Sequence, residues 1–395
     1  MCWHPHGGFF VQRLVFLFFS EAGSLGYIVY STRMVIALAV TLLTVTGDLH
    51  DYAEARSLEG YPLAKCLDGS PARYYLSKGN ASRVFVFFEG GGFCQDLSAC
   101  QARTASFLGS TRTDPPSMTL DRPYFSRSPA VSPLLSSFTF AFVRYCDGGY
   151  FSGDRMAPVV HSGTRLYFWG RWIVQAVVAD LKLAQATDVV IGGCSAGGIH
   201  VLAHLDAMRD MLPSKVRVSG FADSGFFMDV DFFTAHKRFV VSPTGQNAQR
   251  LLSPACAAEF PQEKEKCLVA QRSAPFLQTP VFVWQSRFDL DQRSCELLPA
   301  CAASPACVEA YARNMSDAIR EQLLAHRRPR HGAFIDACAR HCDDGVRQLH
   351  RVTVDGVTPL QAFALWYAPK VVARNNTHMP HSRTLWEAPG GEVVC

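Results

Sequence analysis

Five short runs of this chain are apolar at nearly every position: RVFVFFEG (83–90), FTFAFVRY (138–145), DVVIGG (188–193), VRVSGFAD (216–223) and PVFVWQS (280–286). A strand that is apolar on both faces must be covered on both faces. These runs therefore predict buried strands of a parallel sheet. Between them, residues 171–185 and 198–212 carry apolar side chains at three- and four-residue intervals, the period of an amphipathic helix. Alternating strands and helices predict the α/β class, with a mostly parallel central sheet, helices on both faces and cap or loop insertions. Residues 101–137 hold Pro, Ser and Phe without a period, and predict a long surface excursion. Residues 242–278 are similar, with Cys256 and Cys267 placed to staple a small helical cap.

One predicted strand runs straight into VIGGCSAGGIHVLAHL (190–205), where Ser195 stands in a G-x-S-x-G turn ahead of a predicted helix. Glycines at 193 and 197 let the chain turn sharply and expose the serine above the sheet. The N–H of Ala196 then lies at a helix N-terminus, where negative charge is favoured. A serine is a weak nucleophile until a histidine takes its proton and a carboxylate orients that histidine. In an α/β-hydrolase the acid and then the base follow the serine in the chain. Asp289 and Asp291 both follow the strand at 280–286, and residues alone leave the choice open. For the base, His341 in GAFIDACARHC competes by position with His331, His350, His378 and His381. A second oxyanion donor belongs on a loop after an early strand. FVFFEGGGFC (85–94) offers the N–H groups of Gly91 and Gly92 there.

Composition changes the picture mainly through cysteine. The 395 residues include 14 cysteines and no C-x-x-C pair, which points away from zinc ribbons and towards disulfides in an oxidising compartment. Cys94 and Cys100 are spaced to close a small loop, and 301 and 307 repeat that spacing. Cys66–Cys146 is a further expected bridge. If Cys2 is lost with a leader, the remaining count is odd, and Cys194 is the expected free thiol. Sequons at Asn80, Asn314 and Asn375 suit the same compartment. Residues 1–50, with apolar runs at 8–19 and 34–45, read as a signal sequence or signal anchor, with Met34 an alternative start. Residues 51–395 read as one domain. The net charge of +4 is small, and HRRPRH (326–331) reads as a solvated loop, so nucleic acid is not an expected partner.

Six motifs in order resemble the pectin acetylesterase family, which also contains the Wnt deacylase Notum. They are FFEGGGFC, VRYCDGGYFSGD (143–154), GGCSAGG (192–198), ADSGFFMD (222–229), FDLDQ (288–292) and GAFIDACARHC (332–342), with WY at 366–367 after them. The resemblance spans about residues 60–368 and implies a modified α/β-hydrolase. It implies Ser195 as nucleophile, Asp289 as acid and His341 as base, with Gly91, Gly92 and Ala196 as oxyanion donors. It implies no metal or organic cofactor. Glu89 ahead of the glycines follows the Notum branch, where plant members often have Asn. The expected protein is a secreted, monomeric serine carboxylesterase acting on an acetylated polysaccharide. The alternatives are a deacylase of lipid-modified protein and a silent glycan-binding relative. Membrane attachment would follow only from an uncleaved N-terminal segment. Tyr145, Asp147, Asp154, Asp223 and Ser224 are expected to support the site rather than react.

Overall fold

The computed structural model describes residues 51–325, 330–342, 349–368, 384–387 and 395. The leader expectation for residues 1–50, most of the basic cluster at 326–331, His378, His381 and the sequon at Asn375 lie outside the described residues. Among the described residues, no helix is long and apolar enough to cross a membrane.

The strands are β1 (Asp51–Ser57), β2 (Arg73–Ser77), β3 (Asn80–Phe88), β4 (Ser117–Leu120), β5 (Phe138–Val143), β6 (Val159–His161), β7 (Thr164–Leu166), β8 (Asp188–Cys194), β9 (Arg217–Asp223), β10 (Val281–Ser286), β11 (Gly332–Asp336) and β12 (Leu385–Glu387). All but β6 and β7 join one sheet, in the order β12-β11-β10-β9-β8-β3-β5-β2-β1-β4. From β12 through β5 every pairing is parallel, and β2, β1 and β4 extend that edge antiparallel. The five predicted strands are all present, within a few residues of their expected ends. Between them, Gly170–Asp180 and Ala196–Asp210 form the two predicted helices.

Strand pleating divides the core in two. Val84, Val86 and Phe88 of β3 pack with Ile173, Val177, Val201 and Leu205 of those helices on one face. Phe85 and Phe87 point to the other face, into a largely aromatic core with Phe140, Phe221, Phe282 and Phe363. That second core corrects the reading of residues 101–137. Most of the segment does run over the surface, but β4 pairs with β1, and 3₁₀ turns at Pro123–Phe125 and Leu135–Ser137 insert Tyr124, Phe125 and Leu135 into the core, all at most 1% exposed. Single aromatic residues inserted from short turns leave no period in the sequence. The expected cap within 242–278 is there, as short helices joined by a Cys256–Cys267 bridge.

Cys94–Cys100, Cys301–Cys307 and Cys66–Cys146 are also bridged, as expected from the sequence. The free-thiol expectation for Cys194 is wrong. Cys194 pairs with Cys342, 148 residues away in the chain. No spacing rule could pair them, because only the fold brings the end of β8 to the loop after β11.

Candidate active site

Parallel strands end on the same side of a sheet, so the segments leaving β3, β8, β9, β10 and β11 all gather at one end. Those five exits carry Glu89–Gly92, Ser195, Asp223–Ser224, Asp289–Asp291 and Asp336–Cys342. The candidate nucleophile, both candidate acids, His341 and the candidate oxyanion donors all lie on them or at their helix start, while Tyr145, Asp147 and Asp154 follow β5 at the same end.

Ser195 joins β8 to the helix Ala196–Asp210 with φ 55° and ψ −118°. A non-glycine residue held there stores backbone strain, a feature concentrated at functional sites. The turn persists because its surroundings fix it. The Ser195 N–H donates to the Asp223 carbonyl at 3.0 Å, and a Cβ at Gly197 would overlap the Phe88 carbonyl oxygen. The Ser195 hydroxyl does not cap the helix, although the residue occupies the N-cap position. It is left for other work.

The glycine loop lies directly beside this turn, since a Cβ at Gly90 would stand 2.9 Å from the Ser195 Cβ. Gly91 and Gly92 have φ 152° and 68°, which a side chain would resist. Their carbonyls are pinned. Arg103 donates to the Gly91 oxygen at 2.7 Å and the Tyr145 hydroxyl to the Gly92 oxygen at 2.5 Å. Glu89 anchors the loop's start through an ion pair with Arg144 and by accepting the Tyr145 N–H at 2.8 Å. Tyr145 thus supports this loop, while Asp147 accepts the Gly149 N–H at 3.2 Å within its own turn and Asp154 ties its segment to two others. Asp154 is paired with Arg171 and Arg250, and burial raises the Asp147 carboxyl to about 6.

The structure brings Asp289 and His341 together. Nδ1 of His341 lies 2.8 and 2.9 Å from the two Asp289 carboxylate oxygens. Asp289 is fully buried and also caps the helix Leu290–Glu296 by accepting the Gln292 N–H at 2.9 Å. Its side chain is therefore fixed before it meets the histidine. His341 Nε2 is buried and has no hydrogen-bond partner. The Cys194–Cys342 bridge couples the residue before Ser195 to the residue after His341, with their Cα atoms 6.1 Å apart. His331 instead accepts the Val281 N–H at 3.3 Å, in the core. His350 sits in a 3₁₀ turn at Leu349–Arg351.

Asp291 takes the other side of the ring, its carboxylate 3.6 Å from Nε2. Burial works to lower the His341 pKa. The charge and hydrogen bond of Asp289, with Asp291 adding, carry it above the ordinary histidine range. Should His341 serve as a base, its imidazole must be neutral to accept a proton, and activity would fall as pH falls through that raised value. Asp291→Asn removes one of the terms holding it up. The acid limb of the kcat/KM profile is expected to move to lower pH, and a limb that stays put or moves up would show that Asp291 does not act on the base.

Arg340 is not among the residues that the sequence singles out. It is fully buried between two carboxylates, 3.0 Å from Asp223 and 2.9 Å from Asp336, and it donates to the Cys342 carbonyl at 2.9 Å. The Ser224 hydroxyl accepts the Cys342 N–H at 2.9 Å, and Trp284 donates to Asp336 at 2.9 Å. This network ties the ends of β9, β10 and β11 under the His341 loop. Removing one partner of such a buried set costs about 3–5 kcal/mol. The available signal was an arginine directly before the histidine in an otherwise apolar and cysteine-rich stretch.

A recess of about 320 Å³, open mouth included, adjoins the serine. Gly92, Ser195, Ala196 and Asp291 form its polar edge, and Phe93, Tyr150, Phe227 and Phe233 supply most of its apolar wall. An ester carbonyl placed beside Ser195 would have the glycine loop and the helix N-terminus on one side and an apolar recess for its acyl group.

Comparison with known proteins gives a consistent family. The pectinacetylesterase family model matches residues 58–383. Pectin acetylesterase 4 of Arabidopsis thaliana is 31% identical over 339 residues, covering 77% of this chain and 80% of its own length. Pectin acetylesterase 5 of the same plant is 30% identical over 304 residues, 71% of this chain and 70% of its own. The palmitoleoyl-protein carboxylesterase NOTUM of Homo sapiens is 31% identical over 244 residues, 57% of this chain but only 48% of that protein. The solved structure of the Wnt deacylase Notum from Drosophila shares the fold, with a TM-score of 0.68 over 86% of this chain and 98% of that one at 24% identity.

Proposed function

Because the chain is a carboxylic ester hydrolase that belongs to the pectinacetylesterase family, we propose that it is a secreted serine esterase removing acetyl groups from a polysaccharide. Ser195 attacks the ester carbonyl while His341 Nε2 accepts the hydroxyl proton. Asp289 holds the ring with its proton on Nδ1 and stabilises the imidazolium that forms. The N–H groups of Gly91, Gly92 and Ala196 receive the oxyanion of the tetrahedral intermediate. The imidazolium returns its proton to the departing sugar hydroxyl, leaving acetyl on Ser195. Water, deprotonated by the same His341, then releases acetate and restores the serine.

The observation that carries this reading is the His341 ring. One nitrogen is held by a buried carboxylate, and the other has no hydrogen-bond partner on a loop bridged to the Ser195 turn. Six bridges among the described residues support the secreted assignment, because such bonds persist in oxidising compartments. Of the sequon asparagines, Asn80 and Asn314 are exposed, although Ser316 of the second sequon is buried in its helix.

The closeness of the recess walls supports acetyl over a fatty chain. Behind its open mouth the recess encloses only about 20 Å³, little more than one water molecule needs. A short acyl group can use the mouth, whereas a sixteen-carbon chain would have to part the four rings to enter the recess. Its aromatic wall is what a lipid deacylase would also use, so acyl length separates the two readings. With p-nitrophenyl esters, kcat/KM is expected to be highest for acetate and butyrate and to fall as the chain lengthens. Acetylated pectin and xylan should release acetate. A rise towards octanoate and beyond, or release of palmitoleate from an acylated serine peptide, would replace the polysaccharide reading with protein delipidation.

A further inference from the structure

In the stretch DFFTAHKRFV (231–240), Lys237 stands between His236 and Arg238, where a reader of the sequence expects a solvated side chain. It is instead 0% exposed. Its position is built into the backbone. Lys237 follows the helix Asp231–His236, donates its N–H to the Thr234 carbonyl at 3.0 Å, and accepts the Val240 N–H at 3.0 Å. The amine then has only one place to go. Nζ lies 3.3 Å from the centroid of Phe233, 4.9 Å from Phe93, 5.7 Å from Phe227 and 5.9 Å from Tyr150. It has no hydrogen-bond partner.

The carboxylates that act on it are engaged elsewhere. Glu296 accepts the Met228 N–H at 2.9 Å and the Tyr311 hydroxyl at 2.6 Å, and Asp229 is paired with Arg272. Burial lowers the Lys237 pKa to about 7 against the pull of Glu296 and Asp229. A buried, unpartnered amine destabilises a fold unless its surroundings compensate, and here the ring faces are what surrounds it.

Those four rings are the same four that wall the recess beside Ser195. Lys237 therefore sits behind the wall, against ring surfaces whose other sides or edges face the acyl space. We propose that Lys237 limits acyl length: its amine fixes Phe93, Tyr150, Phe227 and Phe233 as the end wall of the recess, so that short acyl groups fit and alkyl chains are excluded. This rests on the reading of Ser195 as nucleophile and of the recess as the acyl site. Each methylene that enters an apolar site is removed from water, which favours longer chains wherever there is room for them. To enter, a longer chain must part rings that pack around the amine, Phe233 most closely at 3.3 Å. The displaced amine would then face methylenes, with neither water nor a ring face to replace what it lost.

The test is the ratio of kcat/KM for p-nitrophenyl acetate to that for p-nitrophenyl octanoate, in wild type, Lys237→Met and Lys237→Arg. Methionine keeps the unbranched length without the amine, and loss of an unpaired buried amine should not unfold the chain. Lys237→Leu serves in its place should the Met variant fail to fold, with thermal unfolding followed for each. The expected result is a ratio at least tenfold lower in the Met or Leu variant, through a rise in the octanoate value, with the Arg variant keeping the wild-type ratio. A folded Met or Leu variant whose ratio stays within twofold of wild type overturns the role of Lys237 and leaves the acetylesterase reading intact. A wild-type enzyme that itself prefers octanoate overturns the acetylesterase reading and this one with it.

Discussion

Ser195→Ala is expected to lower kcat by roughly 10⁴-fold or more, with the fold unchanged. The size follows from what the residue does and what remains without it. On the proposed mechanism the alanine variant keeps its oxyanion donors, the glycine loop and the N–H of Ala196. It has lost the only hydroxyl on the strained turn between β8 and its helix. Water would have to attack from a site built around a side chain that is gone. Stability should not change much, because the hydroxyl caps nothing and the residue keeps 8% of its surface exposed. A fluorophosphonate should label the wild type once, at Ser195, and leave the variant unlabelled. Labelling of the variant, or turnover within tenfold of wild type, would remove Ser195 from its role.

The parts of this molecule that the sequence exposes are those with a local pattern. β3, β5, β8, β9 and β10 are written as continuous apolar runs because each is covered on both faces. The Ser195 turn is written as glycines around a serine because the backbone there has no room for other side chains. The loop disulfides show themselves by spacing. What stays hidden depends on residues far apart in the chain. Cys194 looks like a free thiol beside a serine until β8 and the loop after β11 are brought together. Arg340 looks like a surface arginine until Asp223 and Asp336 close on it from two strands. Lys237 looks solvated until four rings from three segments surround its amine. Tyr124 and Phe125 belong to no periodic run, yet they fill the aromatic core from a 3₁₀ turn. The choice between Asp289 and Asp291 belongs to the same class. Both follow one strand, and only the position of a ring about 50 residues later distinguishes them.

That choice yields the second large effect. Asp289→Asn is expected to lower kcat by a factor on the order of 10⁴ with KM little changed. Asp289 offers two oxygens to Nδ1, at 2.8 and 2.9 Å, and both are acceptors. They select the tautomer with its proton on Nδ1 and leave the Nε2 lone pair to take a proton from serine. An asparagine placed there offers one donor group and one acceptor. Its amide can donate to Nδ1, which moves the ring proton to Nε2 and removes the base. The variant also loses the charge that stabilises the imidazolium. The stability cost should be small, since asparagine caps a helix about as well as aspartate and can still accept the Gln292 N–H. Asp291→Asn is the control. Its carboxylate is 3.6 Å from Nε2 and partly exposed, so its loss shifts the pH profile without changing the tautomer. With each variant measured at its own pH optimum, Asp289→Asn should be slower than Asp291→Asn by roughly a hundredfold or more. A larger loss from the substitution at 291 than from the one at 289 would make Asp291 the acid and leave Asp289 as a helix cap that happens to touch the ring.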